Sequence, residues 1–275
     1  MQHLLTIDVE QPDSALGRGQ AAAGTDLAAA LSVALDVLAA HAAHATFFVL
    51  AGDAAGMRRL LRRCVAEGHE VASHGASHRR VDAIGAHAFR EDVKQSLSLI
   101  EDLVQQPCKG YRAPWFSAPP GADWYFPVLA ELGVVYDSSL RIPLRDPIPA
   151  PAETAGVIEV PIPVLDWGAV RAGVLGGLAL RLLPCAVIRA LFARCAAAGR
   201  PACLYLHPYE WQAQAQADGL ALLPYLRRRL LIGRTIPRLA WLTKTCAMIS
   251  VEQWLRGGSP RAPAPVDLLE KGICA

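Results

Sequence analysis

An α/β fold, with a mostly parallel sheet covered by helices, is what this sequence predicts, and three observations lead there. Short apolar, β-branched or aromatic runs alternate along the chain with Ala/Leu-rich stretches of helical length. Seven such runs precede residue 210, the count that a barrel needs, although an open sheet satisfies the same alternation. Of the 275 residues, 53% are hydrophobic and 19% charged, which supplies a large core and excludes a disordered chain.

The first strand is Leu4–Val9. Asp26–Ala42 follows as a helix, with Leu27, Leu31, Leu35 and Leu38 at helical spacing and Thr25 as its N-cap. Thr46–Leu50 reads as a strand, Met57–Glu67 as a helix, Glu70–Ser73 as a strand and His87–Val104 as a helix. Lys109–Arg112 and Val134–Tyr136 are strands on either side of the helix Trp124–Leu132. A Pro-rich connection leads to the strand Val157–Val160, the helix Leu180–Ala198 and the strand Ala202–Leu206. Residues 1–211 thus form the main domain. Residues 212–256 are helical in composition and read as an extension packed on it, and 257–275 begin with a Gly/Pro-rich stretch and form a tail.

Charge and cysteine usage narrow the setting. Twenty-seven basic against twenty-five acidic residues give a formal charge of +2, too even a balance for gripping a nucleic-acid backbone. Seven scattered cysteines with no CxxC read as free thiols in a reducing compartment. The N-terminus shows no basic stretch followed by an apolar run, as a secretory peptide would. The most apolar region, Gly173 to Ala193, is broken by Arg181, Pro184 and Arg189, short of the ~20 clean residues a membrane span needs. The expected location is the cytoplasm, with peripheral contact at the inner membrane face.

Active sites of parallel α/β folds gather at the C-terminal ends of strands, and five strand ends here carry unusual polar groups. In Asp8-Val9-Glu10 the two carboxylates point to one side of an extended chain. His74-Gly75-Ala76-Ser77-His78 spaces two imidazoles by four, which suits one metal ion if they share a face. Tyr111-Arg112-Ala113-Pro114-Trp115-Phe116 and Tyr136-Asp137-Ser138-Ser139 follow. Last, Leu204-Tyr205-Leu206-His207-Pro208-Tyr209-Glu210 delivers a histidine at a strand end, where a general acid or base belongs. Alone, each segment has an ordinary reading as an acidic strand end, a packing corner or a turn. Two His and one carboxylate with open coordination positions form a catalytic set rather than a closed structural one.

Together and in this order, the five segments resemble the polysaccharide deacetylase family (carbohydrate esterase family 4, NodB-type), over about residues 4–211. The Tyr136-Asp137-Ser138-Ser139 spelling and the run from Gly176-Gly177 to His207-Pro208-Tyr209-Glu210 look closest to the branch associated with exosortase and exopolysaccharide loci. The resemblance implies a distorted (β/α) barrel of about seven strands with a helical C-terminal extension. It also implies a metal-dependent hydrolase that removes an N-acetyl group from an N-acetylated sugar or glycoconjugate. One divalent ion, Zn2+ or else Co2+, Ni2+ or Mn2+, would sit on Glu10, His74 and His78. Asp8 would be the general base, held by Arg112, and His207 the acid that protonates the departing amine, oriented by Asp137. Trp115, Tyr111 and Leu206 would bind substrate, and a backbone N–H near Trp115 would stabilise the oxyanion.

Two departures from the family pattern stand out: Asp8-Val9-Glu10 replaces adjacent aspartates, and the loop Gln11–Gly24 is long. These leave room for a small non-polymeric amide or formamide as substrate. A barrel that only binds glycan and a facial-triad iron oxygenase are the rival classes, and the latter gives Arg112, Asp137 and His207 no task. Gly17-Arg18-Gly19-Gln20-Ala21-Ala22 spells a loose dinucleotide fingerprint, but it lies too far from the first strand for a Rossmann turn. His3, His41, His44, His69 and His87 have no partner at ligand spacing. The basic cluster Arg227 to Arg238, interleaved with Leu and Ile, suits either a solvated helix face or contact with a lipid-linked substrate or membrane surface.

Overall fold

The computed structural model describes residues 2–11, 26–54, 56–149, 153–166, 171–173, 175–212 and 229–257. Its strands are β1 (His3–Val9), β2 (Thr46–Val49), β3 (Glu70–Ser73), β4 (Gly110–Tyr111), β5 (Tyr136–Asp137), β6 (Arg141–Pro143), β7 (Ile158–Glu159), β8 (Ile162–Asp166), β9 (Arg171–Gly173), β10 (Cys203–Leu206) and β11 (Met248–Ile249). The helices are α1 (Leu27–Ala40), α2 (Arg58–Ala66), α3 (Ala86–Val104), α4 (Tyr125–Glu131), α5 (Gly177–Leu182), α6 (Cys185–Ala197), α7 (Thr235–Thr245) and α8 (Val251–Leu255). Among them no helix is long and apolar enough to cross a membrane.

Seven strands run parallel in the order β10-β1-β2-β3-β4-β5-β7, and β11 pairs with His3 and Leu4 at the start of β1. The sheet curls into a half-barrel with helices outside, and the described residues show no ladder closing β7 onto β10. The distorted barrel expected from the resemblance is therefore present in open form.

Strand alternation sorts the two faces. Leu5, Ile7 and Val9 of β1 join Leu204 and Leu206 of β10 in the large cluster that also takes in Leu31, Leu35 and Leu38 of α1. Leu4, Phe48, Ala72, Tyr136 and Cys203 form a second cluster that fills the concave side. Along β1 the residues alternating with the outer set are Leu4, Thr6 and Asp8, with Glu10 just past the strand. The concave side thus changes from apolar to acidic toward the C-terminal ends.

Several elements differ from expectation. Asp26, not Thr25, caps α1, since its Oδ1 accepts from the Ala29 N–H at 2.9 Å. The helix expected over Leu180–Ala198 is two helices, because Pro184 lacks an N–H and forces Leu183 into an extended conformation (ψ 140°). A second sheet, β6-β8-β9, is unexpected: β6 lies in the Pro-rich connection before residue 157, and β8 and β9 lie between the strand expected at Val157–Val160 and the helix expected from Leu180. The extension expected to be helical also contains a strand, β11, which joins the main sheet beside β1. Cys64, Cys108, Cys195, Cys203 and Cys246 are free thiols, but Cys185 is disulfide-bonded, against the all-thiol expectation. The loop 12–25 with its Gly17–Ala22 stretch, Arg227 and Arg228, and the tail from 258 lie outside the described residues.

Candidate active site

Five parallel strands bring their polar ends to one place. The His78 Nε2 lies 2.5 Å from Glu10 Oε2, and the His74 Nε2 lies 3.3 Å from the same oxygen. All three residues are buried, and one donor atom from each falls within 4.8 Å of the others.

The tautomer of His74 decides what this cluster can hold. His74 Nδ1 sits 2.9 Å from the Arg112 carbonyl, which can only accept, so Nδ1 carries the proton. When His74 is neutral, its Nε2 lone pair then faces a carboxylate oxygen. Neither a hydrogen bond nor a close apolar contact resolves two facing lone pairs, whereas a divalent cation does. Glu10 Oε2 accordingly has no hydrogen-bond donor despite its burial. Burial pushes the Glu10 carboxyl up, and the adjacent His74 and His78 imidazoles outweigh it, holding Glu10 well below the usual carboxylate range. The donor set Glu10, His74 and His78 could hold such an ion.

A carboxylate on α3 supports the histidine loop. Asp92 accepts from the N–H groups of Ala76 (2.8 Å) and Ser77 (3.2 Å), and from the Ser77 hydroxyl. Gly75 at φ +79° makes this approach feasible, because a Cβ there would stand 2.9 Å from Asp92 Oδ2.

Beside the cluster, Asp8 Oδ1 accepts from Arg112 Nη1 at 2.6 Å. Arg112 is fully buried. It also donates to Thr6 Oγ1 (2.8 Å), Ser138 O (3.1 Å) and Ser138 Oγ (2.9 Å), and its guanidinium lies 4.1 Å from the Phe48 ring centre. Burial opposes its charge, but the adjacent Asp8 carboxylate wins and raises its pKa. These contacts aim Asp8 and leave Oδ2 facing the site.

His207 closes the other side. Its Nε2 lies 3.8 Å from both Asp8 Oδ2 and Glu10 Oε1, and its Nδ1 lies 3.4 Å from Glu210 Oε2. Burial would lower its pKa, yet the hydrogen bond and charge of Glu210, then the charges of Glu10 and Asp8, push it up to about 9. An imidazolium at neutral pH suits a proton donor.

The expected partner of His207 is corrected. Asp137 does not meet it; Asp137 Oδ1 accepts from Ser139 Oγ (2.5 Å) and Oδ2 from Tyr125 OH (3.2 Å). Ser139 Oγ in turn accepts from the Ala113 N–H at 2.7 Å, so Asp137 supports the 112–116 loop. Glu210, inside a segment already singled out, takes the place expected of Asp137. The spacing His207-Pro208-Tyr209-Glu210 repeats the i,i+3 reciprocity of a capping box, which was the available signal.

Two of the three expected substrate contacts also fall elsewhere. Tyr111 (1% exposed) and Leu206 (0%) are sealed in the outer cluster beneath the helices, one alternation step away from Arg112 and His207. Trp115 is 40% exposed and packs beside the His78 ring, with the ring centres 5.5 Å apart. Trp115 and Phe116 both hold left-handed backbone (φ 62° and 51°), strain of a kind that clusters at functional sites. In the basic cluster, Arg238 is buried and donates to the carbonyls of Leu180 and Leu183, so it is no part of a charged rim.

Comparisons with known proteins give likenesses of sequence over part of the chain and of fold over most of it. Residues 24–126 match the family described as polysaccharide deacetylase, and residues 139–256 match a domain of unknown function (DUF3473). A chitooligosaccharide deacetylase of Sinorhizobium fredii is 38% identical over 87 residues, 32% of this chain and 39% of that protein. The chain thus spans about two fifths of the length of this curated relative. Among solved structures, one assigned to the polysaccharide deacetylases of Mycobacterium smegmatis superposes with a TM-score of 0.55 at 18% identity, covering 98% of this chain and 96% of that one. The peptidoglycan deacetylase PdaC of Bacillus subtilis gives a TM-score of 0.50 at 15% identity over 93% of this chain and 91% of that one. The sequence matches are likenesses over part of the chain, and the structural likenesses, at 15–18% identity, show the fold alone.

Proposed function

We propose that this chain belongs to the polysaccharide deacetylase family and is a metal-dependent N-deacetylase of N-acetylated sugars or glycoconjugates. One observation carries the reading: His207 Nε2 stands 3.8 Å from Asp8 Oδ2 and 3.8 Å from Glu10 Oε1, at the edge of the Glu10, His74 and His78 cluster. A proton acceptor, a proton donor and a cation site therefore flank one small space.

Glu10, His74 and His78 would hold one divalent cation, with Zn2+ the first choice and Co2+, Ni2+ or Mn2+ compatible with the same donors. Bound there, it supplies polarisation of the amide carbonyl and a lowered pKa for water. Asp8 Oδ2 takes the proton from the attacking water, while Arg112 keeps Oδ1 fixed. The water oxygen bonds to the acyl carbon, the C–N bond breaks, and His207 Nε2 gives its proton to the nitrogen. Acetate and a free amine result. Trp115 offers an exposed aromatic face beside His78 on which a sugar ring can lie.

The exopolysaccharide-locus branch and contact with lipid-linked glycan belong to the same proposal. Their support is the Tyr136-Asp137-Ser138-Ser139 spelling and the basic cluster before α7.

The test is acetate release from N-acetylated oligosaccharides and monosaccharides, with formamides as the contrast. Acetate and new amine in equal amounts, lost on chelation and regained with Zn2+, are the expected result. Formate from formamides without acetate from any sugar would replace the reading with a small-amide hydrolase. No release at all with metal restored would leave only glycan binding.

A further inference from the structure

Glu210 lies in the segment that follows β10 and faces Nδ1 of His207, on the side of the ring away from Asp8 and Glu10. Its Oε2 accepts from the His207 backbone N–H at 3.0 Å and faces Nδ1 at 3.4 Å. Its other oxygen lies 3.7 Å from Arg181 Nη2 on α5, and that guanidinium is itself tied to the Gly177 carbonyl at 3.3 Å. The carboxyl packs so closely on Gly177 that a Cβ there would overlap it. One residue with no side chain, one buried cation and one backbone N–H thus fix the carboxylate. The carboxylate in turn fixes the ring, with Nε2 toward Asp8 and Glu10.

We propose that Glu210 is the positioning residue of the proton-donating histidine, seated by Gly177 and Arg181, so that Nε2 reaches the departing nitrogen. The proposal rests on the deacetylase reading above. Its logic is that of an orienting acid behind a catalytic imidazole: the acid fixes which nitrogen points at the substrate and does not itself touch it. Asp137 is unable to do this because its oxygens are engaged by Ser139 and Tyr125.

A leaving-group comparison separates positioning from mere structure. An amine must be protonated to leave, whereas the phenolate of 4-nitrophenyl acetate departs without a proton. In Glu210→Ala, kcat for an N-acetyl sugar falls about 10²-fold, the lower range for a general acid. KM, metal content and aryl-ester turnover stay within about twofold of wild type. Gly177→Ala keeps the charge but displaces the carboxylate, and shows the same selective loss. Equal losses on amide and ester, or no loss on the amide, overturn the proposal.

The nitrogen-15 spectrum of the histidine rings gives a second readout, independent of amide turnover. A hydrogen-bonded Nδ1 proton on His207, assigned by its disappearance in His207→Gln, is present in wild type and absent in both variants. Its persistence in Glu210→Ala overturns the proposal. If wild type cleaves the ester and no amide, the deacetylase reading fails, and Glu210 is judged on this signal alone.

Discussion

Arg112 Nη1 and Asp8 Oδ1 meet at 2.6 Å with both side chains sealed from solvent. The pair joins two strand ends and links the proposed base to the loop that carries Trp115. Removing one partner of a buried, hydrogen-bonded pair strands the other charge, at a cost of about 3–5 kcal/mol. Arg112→Ala is therefore expected to lower the unfolding free energy by that amount, read as a lower urea midpoint at unchanged m-value, with turnover lost as well. Adding Asp8→Asn should recover part of the stability and none of the activity. A single Arg112→Ala variant with the wild-type midpoint would remove the pair from the account of the fold.

Base and metal roles are separable by substitution. Asp8→Asn is nearly isosteric and leaves Glu10, His74 and His78 untouched, so metal content should remain at one equivalent while turnover falls by at least ~10²-fold. His74→Ala removes a ligand and should lose the metal on dialysis. Metal analysis of the purified variants, read beside acetate release, checks both. A near-wild-type rate in Asp8→Asn would assign the base to another group.

Much of the site was legible because a strand end exposes its chemistry in a short run: Asp8 and Glu10 at i,i+2, His74 and His78 at i,i+4, and His207 after an apolar strand. What sequence spacing leaves open is which residues face which cluster. Tyr111 and Leu206 sit next to Arg112 and His207 in the chain, and strand alternation sends them to the opposite face. Asp137 and Glu210 are both acids near strand ends, and only the approach of α5 to β10 decides between them. The Pro-bearing strands β6 and β8 were hidden for another reason, since proline at 143, 161 and 163 obscures the period-two pattern by which strands are recognised.

Asp137 and Glu159 lie side by side in the interior, and this pair gives the fold a pH dependence. Burial raises the Asp137 carboxyl to about 6, and raises Glu159 well above its usual range, further lifted by the neighbouring Asp137 charge. Above the ordinary Asp value of 3.8 the unfolded carboxyl is ionised while the folded one holds its proton. Folding thus takes up a proton in that window, and stability falls as pH rises from about 4 through about 6. Melting temperature should drop by several degrees across it, at about 2–4 °C per kcal/mol for a chain this size. Asp137→Asn should make the slope shallower. An unchanged slope in that variant would show that the pair does not set it.

At the opposite end of the barrel, Glu70 ties the last segment of the described chain to the sheet. Its Oε2 accepts from Thr46 Oγ1 (2.6 Å) and from the Glu252 N–H (2.9 Å) in the first turn of α8, and its Oε1 accepts from Tyr136 OH (2.9 Å). The Thr46 hydroxyl also accepts from the Val251 N–H at 2.8 Å, so two of the orphan N–H groups of α8 are satisfied inside the barrel. Glu70→Ala leaves buried donors without acceptors, at about 1–3 kcal/mol for an unsatisfied group. The polar cavity of about 140 Å³ lined by Glu70, Lys109 and Glu252 admits water and limits the loss. Denaturant unfolding should show that loss, and hydrogen exchange should show faster opening of α8 and β11 than of β2. Glu70→Gln keeps one accepting oxygen and should lie between the two. Uniform loss of protection across β2, β11 and α8 would mean that Glu70 supports the barrel as a whole rather than the docking of its last strand and helix.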